Sequence, residues 1–193
     1  MNVNKTILGF DISSTTVGWS IINIMDDNSL QYVVSGYLKP SKKGTIFDRL
    51  NDLKVKAEKI INTYKPTDIA LEEIISYMPG KSSAKTIITL AVFNRTLGMA
   101  AFDYLNASPA LLNVMSIRHG LKKTKDLPSK DQMPELVASH LNIDFPYQYN
   151  RKNEIKTESY DEADGIAVAL YYALKLSNNL PKKIKTKKKI PAI

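Results

Sequence analysis

The stretch from Lys5 to Ile22 places a single acidic residue, Asp11, between two apolar segments. Runs of β-branched and aromatic residues on either side of a small-residue turn predict two neighbouring strands of a hairpin. A carboxylate at the end of an apolar strand is costly to bury unless a partner such as a metal ion neutralises it. Asp11 therefore has two interpretations, either a cap for the Ser/Thr turn that follows or one member of a charged site.

The composition is that of a soluble globular protein with one well-buried domain. The chain has 193 residues, of which 44% are hydrophobic and 24% charged. The absence of cysteine excludes disulfides, thiolate nucleophiles and zinc sites with Cys ligands. The N-terminus lacks the features of a signal peptide, and no apolar run approaches the ~18 residues that span a bilayer. We therefore expect a cytoplasmic protein with no membrane partner.

The positive charge is concentrated at the C-terminus. The net charge is +8, and seven lysines with no acid lie from Lys175 onward, whereas the remainder is nearly neutral. We expect residues 1–176 to form the folded domain and residues 177–193 a basic, flexible tail. Such a tail favours a polyanionic partner, nucleic acid before membrane. The alternative is a solvated end that only aids solubility.

The first half of the chain predicts a sheet with one crossover helix. Three antiparallel strands in meander order end with residues 30–38. A helix follows from the N-cap Thr45 to about Tyr64, with an apolar stripe formed by Phe47, Leu50, Leu53, Ala57, Ile60 and Ile61. Residues 67–75 return to strand character, and a helix between strands of one sheet implies a parallel pairing.

The second half predicts further helices around one more strand. We expect a strand at 110–117, a basic glycine-containing segment at 118–130, a loop at 142–153, and helices at 84–105, 131–141 and 159–176. The helix at 84–105 is apolar around nearly its whole circumference, so it is buried or faces a partner on more than one side. The predicted class is α/β, with a mixed sheet flanked by helices.

Acidic residues stand at the ends of three separate elements. Asp161 and Asp164 share one face of the last helix, although acids in a first turn also suit the helix dipole. Glu72 ends the crossover strand, and Glu73 is its competitor on the opposite strand face. If the fold brings these acids to Asp11, they would repel each other or hold protons unless divalent cations lay among them.

Carboxylate ligands alone favour magnesium or manganese over zinc. Two such ions about 4 Å apart can activate a water and stabilise the leaving oxygen of a phosphodiester. The acids therefore predict the site of an RNase H-like nuclease.

Three motifs in order resemble the RuvC family of Holliday-junction resolvases, within the RNase H-like superfamily. They are Ile-Leu-Gly-Phe-Asp11-x-x-Ser-x-x-x-Gly18-Trp, the helix-then-strand segment 49–72 ending in Ala-Leu-Glu72, and residues 160–167 with their Asp-x-x-Asp spacing. The resemblance covers residues 5 to about 176. It implies a mixed five-stranded sheet, with three antiparallel strands followed by parallel strands, flanked by helices.

The resemblance also implies a function. Asp11, Glu72, Asp161 and Asp164 would be the catalytic acids that bind two Mg²⁺ ions, which Mn²⁺ can replace. A homodimer through the helix at 84–105 would cleave Holliday junctions and other branched DNA by paired nicks. The expected DNA contacts are Tyr77, Lys81, Arg118, His119, Lys122, Lys123, Lys125 and Lys130. The alternative for the basic segment is a solvated face, and His140 is expected to be solvated.

Two positions depart from the family pattern. Ser13 stands where bacterial members usually have glycine, and Ile75 does not match the family's aromatic wedge, although Tyr77 follows two residues later. We therefore expect a divergent, phage-type member, which would act in the host cytoplasm. Two other functions stay open. One is a non-catalytic protein that binds branched DNA. The other is an ATP-binding protein of the actin and sugar-kinase fold, which needs a second domain and a second glycine-rich loop.

Overall fold

The computed structural model describes residues 1–13, 15–74 and 83–180, which form one mixed sheet covered by helices on both faces. The strands are β1 (Val3–Ile12), β2 (Val17–Met25), β3 (Leu30–Leu38), β4 (Asp68–Glu72) and β5 (Ala110–Leu112). The helices are α1 (Ile46–Tyr64), α2 (Ala84–Leu105), α3 (Val114–Leu121), α4 (Met133–Leu141) and α5 (Glu158–Leu176). The strand order is β3-β2-β1-β4-β5. β2 pairs antiparallel with both β1 and β3, and β4 pairs parallel with both β1 and β5, as predicted.

The two faces of the sheet carry separate parts of the core. Leu8 and Phe10 of β1 pack with α1 and α2, whereas Ile7 packs with α5 on the other face. This split follows from the alternation of side chains along a strand. Gly9 faces α5 closely enough that a Cβ there would lie 2.4 Å from the backbone nitrogen of Ala169. The sheet and α5 are therefore in direct backbone contact.

Four strands finish at one end of the sheet. Because β2 alone runs in the opposite direction, the last residues of β1, β3, β4 and β5 lie together, and we call this the carboxyl end of the sheet. Asp11 and Glu72 stand at this end. The turn between β2 and β3 lies at the opposite end.

Helix α1 matches its predicted bounds but not its whole predicted stripe. Thr45 caps it, since its side chain accepts from the backbone N–H of Asp48 while the Asp48 carboxylate accepts from the Thr45 N–H. Leu53 and Ala57 are buried as expected. The prediction was wrong for Phe47, which is 77% exposed because the whole first turn of α1, from Ile46 to Asp48, is exposed.

The strand predictions after α1 were too long. β4 ends at Glu72 rather than at residue 75, and β5 ends at Leu112 rather than at 117. Residues 114–121 form α3 instead, because the Asn113 side chain accepts from the N–H groups of Met115 and Ser116 and so caps a helix. This helix buries Ile117 and Leu121 against the α5 side of the core.

The packed chain extends slightly past α5. Leu180 packs on the core, and the side-chain amide of Asn179 donates to the backbone oxygen of Asn28. The domain boundary at residue 176 stays a prediction, since most of the proposed tail, residues 181–193, lies outside the described residues, as do Tyr77 and Lys81. In the part of the chain that is described, no helix is both long and apolar enough to cross a bilayer.

Candidate active site

Asp11 and Glu72 lie side by side at the carboxyl end of the sheet. β1 and β4 are parallel neighbours in which Phe10 pairs with Leu71, so the two acids follow directly. Asp11 and Glu72 each follow by two residues a position that faces α5, namely Gly9 and Ala70. Both acids therefore lie on the α5 face of the sheet. Their carboxyl groups are hydrogen-bonded to each other. The carboxylate pair is therefore built by strand register alone.

Burial and mutual repulsion make this pair hard to ionise. Burial, then the neighbouring Glu72 charge, raises the pKa of Asp11 well above its usual value. Burial also raises the pKa of Glu72 to about 7, with a further contribution from the charge of Asp164. Such a pair needs nearby positive charge before both members can be ionised.

The first turns of α5 bring two more carboxylates to the same place. The side chains of Asp161 and Asp164 are only 18% and 16% exposed. Burial, followed by the Asp11 charge, raises the pKa of Asp164 to about 7. The structure thus brings together all four acids that the sequence analysis selected.

Two glycines allow α5 to approach this closely. Gly18 pairs with Asp11 across the β1–β2 hairpin, and a Cβ on Gly18 would lie 1.8 Å from the backbone oxygen of Asp161. A Cβ on Gly165 would lie 2.4 Å from the carbonyl carbon of Gly18. The absence of both side chains therefore sets the distance between the carboxylates of α5 and those of the sheet.

Lys130 and Arg118 supply positive charge to the four acids. The Lys130 ammonium lies 2.7 Å from Asp161 Oδ1 and 3.6 Å from Asp164 Oδ2. Burial lowers the pKa of Lys130, but its hydrogen bond to Asp161 and the surrounding negative charges outweigh that effect and raise it. The charges of Arg118 and Lys130 both oppose the raised pKa values of Glu72 and Asp164.

The donor set fits hard divalent cations. All four acids offer oxygen ligands, and three of them resist ionisation in one another's presence, so added cations would stabilise the ionised cluster. Within the described residues, no three Asp, Glu, His or Cys side chains are arranged to hold a metal ion as they stand. The Lys130 ammonium instead lies between Asp161 and Asp164, at the place where positive charge is needed.

The other basic positions lie on α3 and the segment after it. His119 and Lys125 are exposed. The Lys122 ammonium donates to the backbone oxygen of Lys125, and the Lys123 ammonium donates to the backbone and hydroxyl oxygens of Ser139 on α4. The structure therefore places Arg118 and Lys130 at the acids, and the remaining lysines in contact with their own segment or with α4.

Three other expectations can be compared with the structure. The expectation of a solvated His140 was wrong, because its ring is half-buried with Nε2 2.7 Å from the backbone oxygen of Leu121. Glu73 is exposed beyond the end of β4, and its N–H donates to the Leu112 oxygen. The turn after β1 is closed by Ser13, whose hydroxyl donates to the Thr16 oxygen. The Ser13 side chain therefore caps this turn, and the Asp11 carboxylate lies with the other acids.

Sequence reasoning missed the residues that hold the start of α5. Glu162 is buried between the two acids of α5 and accepts a 2.5 Å hydrogen bond from the Ser35 hydroxyl and a longer one from the Gln148 amide. One turn earlier, Glu158 pairs with Lys39 at the end of β3. Glu162 lies on the i, i+3, i+4 apolar stripe of α5, and this spacing could have indicated that it is buried. Its hydrogen-bond partners are distant in sequence and could not be predicted in this way.

Comparison with known proteins agrees with this geometry. The family model described as crossover junction endodeoxyribonuclease RuvC matches residues 7–172. The chain is 35% identical over 164 residues to the protein of that name from Francisella philomiragia, covering 85% of each. It is 28% identical over 166 residues to that from Ehrlichia ruminantium, covering 85% of this chain and 93% of the relative.

A solved structure shows the shared fold. The structure described as T. thermophilus RuvC in complex with Holliday junction substrate matches with a TM-score of 0.67 at 15% identity, covering 91% of this chain and 98% of that chain. The predicted RNase H-like architecture is thereby confirmed. From the family match over most of its length, this chain belongs to the RuvC family of crossover junction endodeoxyribonucleases.

Proposed function

We propose that this protein is a metal-dependent endonuclease that resolves Holliday junctions, and cuts other branched DNA, by paired nicks. The observation that carries the proposal is the convergence of four carboxylates from β1, β4 and α5 at the carboxyl end of the sheet. In three of them, Asp11, Glu72 and Asp164, burial raises the pKa, so the cluster favours bound cations. Membership of the RuvC family supports the same activity.

The four acids Asp11, Glu72, Asp161 and Asp164 would hold two Mg²⁺ ions. Mn²⁺, which accepts the same oxygen ligands, would replace Mg²⁺. When bound, such ions activate water for in-line attack and stabilise the departing 3′ oxygen of the scissile phosphate. The acids must lose their protons to act as ligands, so metal binding would release protons near neutral pH.

Arg118 and Lys130 would contact the phosphate that is cut. Their positive charges lie close to the acids, where a phosphodiester must approach, and this supports the proposed contact. His119, Lys122, Lys123 and Lys125 would contact flanking phosphates from the same segment. Such contacts position DNA without reading its sequence. For Tyr77 and Lys81 the expected role in DNA binding stays a prediction.

Helix α2 would form the contact between two protomers. Its exposed face carries Ile88, Val92, Arg95, Met99 and Phe102 at alternating spacings of four and three residues. That spacing is typical of a coiled-coil seam. A symmetric dimer would present two sites to a junction that has matching two-fold symmetry.

The test is nicking of a synthetic four-way junction with and without Mg²⁺. We expect the Asp11→Asn variant to bind the junction but not to cut it, because a carboxylate ligand for the metal ions is lost. Glu58→Gln changes a partly exposed acid on α1; it serves as the matched control and should cut at the wild-type rate. If Asp11→Asn also cuts at that rate, the site assignment is wrong. If the wild-type protein binds but never nicks, the chain is a non-catalytic protein that binds branched DNA.

A further inference from the structure

The loop between β3 and α1 stands at the same end of the sheet as the carboxylates. Leu38 pairs with Val17, which pairs in turn with Ile12, so the end of β3 lies two strands away from the end of β1. Two strand spacings correspond to about 10 Å. Lys39 then pairs with Glu158 on the first turn of α5. The loop therefore begins beside the candidate active site.

Hydrogen bonds hold this loop in one shape. The Ser41 N–H donates to Asp52 Oδ2 at 2.8 Å, and Arg49 Nε donates to the Ser41 oxygen at 2.9 Å. The Lys56 ammonium bonds both the Lys39 oxygen and Asp52. A surface loop whose backbone is held in this way is preformed, which reduces the entropy lost on binding.

The side chains that this loop presents are basic and aromatic. Lys42 and Lys43 are exposed, and no ion pair within the described residues involves either of them. Phe47 follows on the first turn of α1 and is 77% exposed. The nearest acid in the sequence, Asp48, is already occupied by the cap of Thr45. The surface therefore combines free positive charge with an exposed aromatic ring.

We propose that Lys42, Lys43 and Phe47 form a second DNA-binding surface, in which the lysines contact phosphates and Phe47 stacks on an unpaired base near the branch point. This inference rests on the proposed function. Charge complementarity selects DNA as the occupant, because two exposed ammonium groups, without an ion pair to any described residue, lie at the same end of the sheet as a site built to cut a phosphodiester. An aromatic ring beside basic side chains is the arrangement that binds unstacked bases.

The test measures binding in the Asp11→Asn background with Mg²⁺, so that the DNA stays intact. The probes are a four-way junction with 2-aminopurine next to the branch point and a linear duplex of equal length. We expect the double variant Lys42→Ala/Lys43→Ala to reduce the slope of log Kd against log salt by up to about 1.8 on both probes. Lys59→Ala, an exposed lysine further along α1, should leave the slope unchanged.

For the aromatic ring, we expect Phe47→Ala to weaken junction binding by about tenfold, to spare duplex binding and to change the 2-aminopurine fluorescence of the complex. Val55→Ala, an exposed apolar residue on the same helix, is the control. An unchanged salt slope overturns the phosphate contacts. Equal effects of Phe47→Ala on both probes, or no effect, overturn the stacking.

Two further measurements separate this inference from its alternatives. If Phe47→Ala converts dimers to monomers in sedimentation velocity, the ring covers a second copy of the chain and the proposal is wrong. If the wild-type protein neither binds nor nicks the junction, the proposed function itself fails. If it does both while the variants of Lys42, Lys43 and Phe47 match their controls, only the second surface is refuted.

Discussion

Gly18 and Asp161 are in backbone contact: a Cβ on Gly18 would lie 1.8 Å from the Asp161 carbonyl oxygen. Gly18 is also the residue opposite Asp11 in the β1–β2 hairpin. One missing side chain therefore sets how closely the acids of α5 approach the acids of the sheet. The distance between the two groups depends on a residue that carries no functional group.

We expect Gly18→Ala to move the first turn of α5 away from the sheet and to reduce junction nicking by tenfold or more. The added methyl also overpacks the core, at a cost of about 1–3 kcal/mol of unfolding free energy. Nicking assays with Mg²⁺ and thermal unfolding measure the two effects. Gly98→Ala is the control for stability, since a Cβ at Gly98 meets nothing within 4 Å. Wild-type nicking by Gly18→Ala would show that the helix position is not critical.

Removing the Asp164 charge should stabilise the metal-free protein at high pH. The pKa of Asp164 is about 7, raised by burial from 3.8. Between these values the folded state binds more protons than the unfolded state, so stability falls as pH rises from about 4 to about 7. We expect Asp164→Asn to be more stable than wild type at pH 8 by at least about 1 kcal/mol, or about 2–4 °C in Tm. At pH 5 the gain should be small.

Thermal unfolding in EDTA at the two pH values checks this prediction. Asp27→Asn is a control of opposite sign, because hydrogen bonds from Ser29 lower the pKa of Asp27. The Asp27 carboxylate stabilises the folded state at pH values above the pKa that it has in the unfolded chain. Asp27→Asn should therefore gain no stability at pH 8. An equal change in Tm for Asp164→Asn at both pH values would mean that neither burial nor the neighbouring charges oppose ionisation of the Asp164 carboxylate in the folded protein.

A charge on the exposed face of α2 should separate the protomers. Met99 lies in the four-three stripe and is 56% exposed, so Met99→Glu would place a negative charge in the proposed dimer contact. We expect monomers in sedimentation velocity and a loss of paired nicking, with each monomer still folded. Val55→Glu has nearly the same exposure on α1, at 55%, and should remain dimeric. Unaltered assembly of Met99→Glu would place the dimer contact elsewhere.

Local patterns allowed most of the fold to be predicted from the sequence. The apolar strand before Asp11 and the spacing of Asp161 and Asp164 depend on neighbours in the chain, and the structure places these acids as expected. The strand predicted at 110–117 is present only to Leu112, and the residues after it were misassigned because their apolar character fits either a strand or a buried helix; the Asn113 cap decides between them. Local hydrogen bonding there outweighed β propensity.

The remaining features depend on contacts between distant parts of the chain. The pairing of Lys130 with Asp161 joins residues 31 apart, and that of Ser35 with Glu162 joins residues 127 apart. No periodicity in the sequence encodes such pairs. Phe47 fits the stripe of α1 by spacing alone, but its exposure depends on which turns of the helix are covered by other parts of the chain. These parts of the site follow from tertiary packing.

The direction of the strands also determines where the protein can be modified. With four strands finishing at the carboxyl end, the acids and the proposed DNA contacts gather there, while the turn at residues 25–29 lies at the other end. A fluorophore or a short peptide inserted in that turn would lie at the far end of the sheet from the proposed cleavage site. Sequence change should also accumulate there more freely, since that end of the sheet carries none of the four candidate ligands.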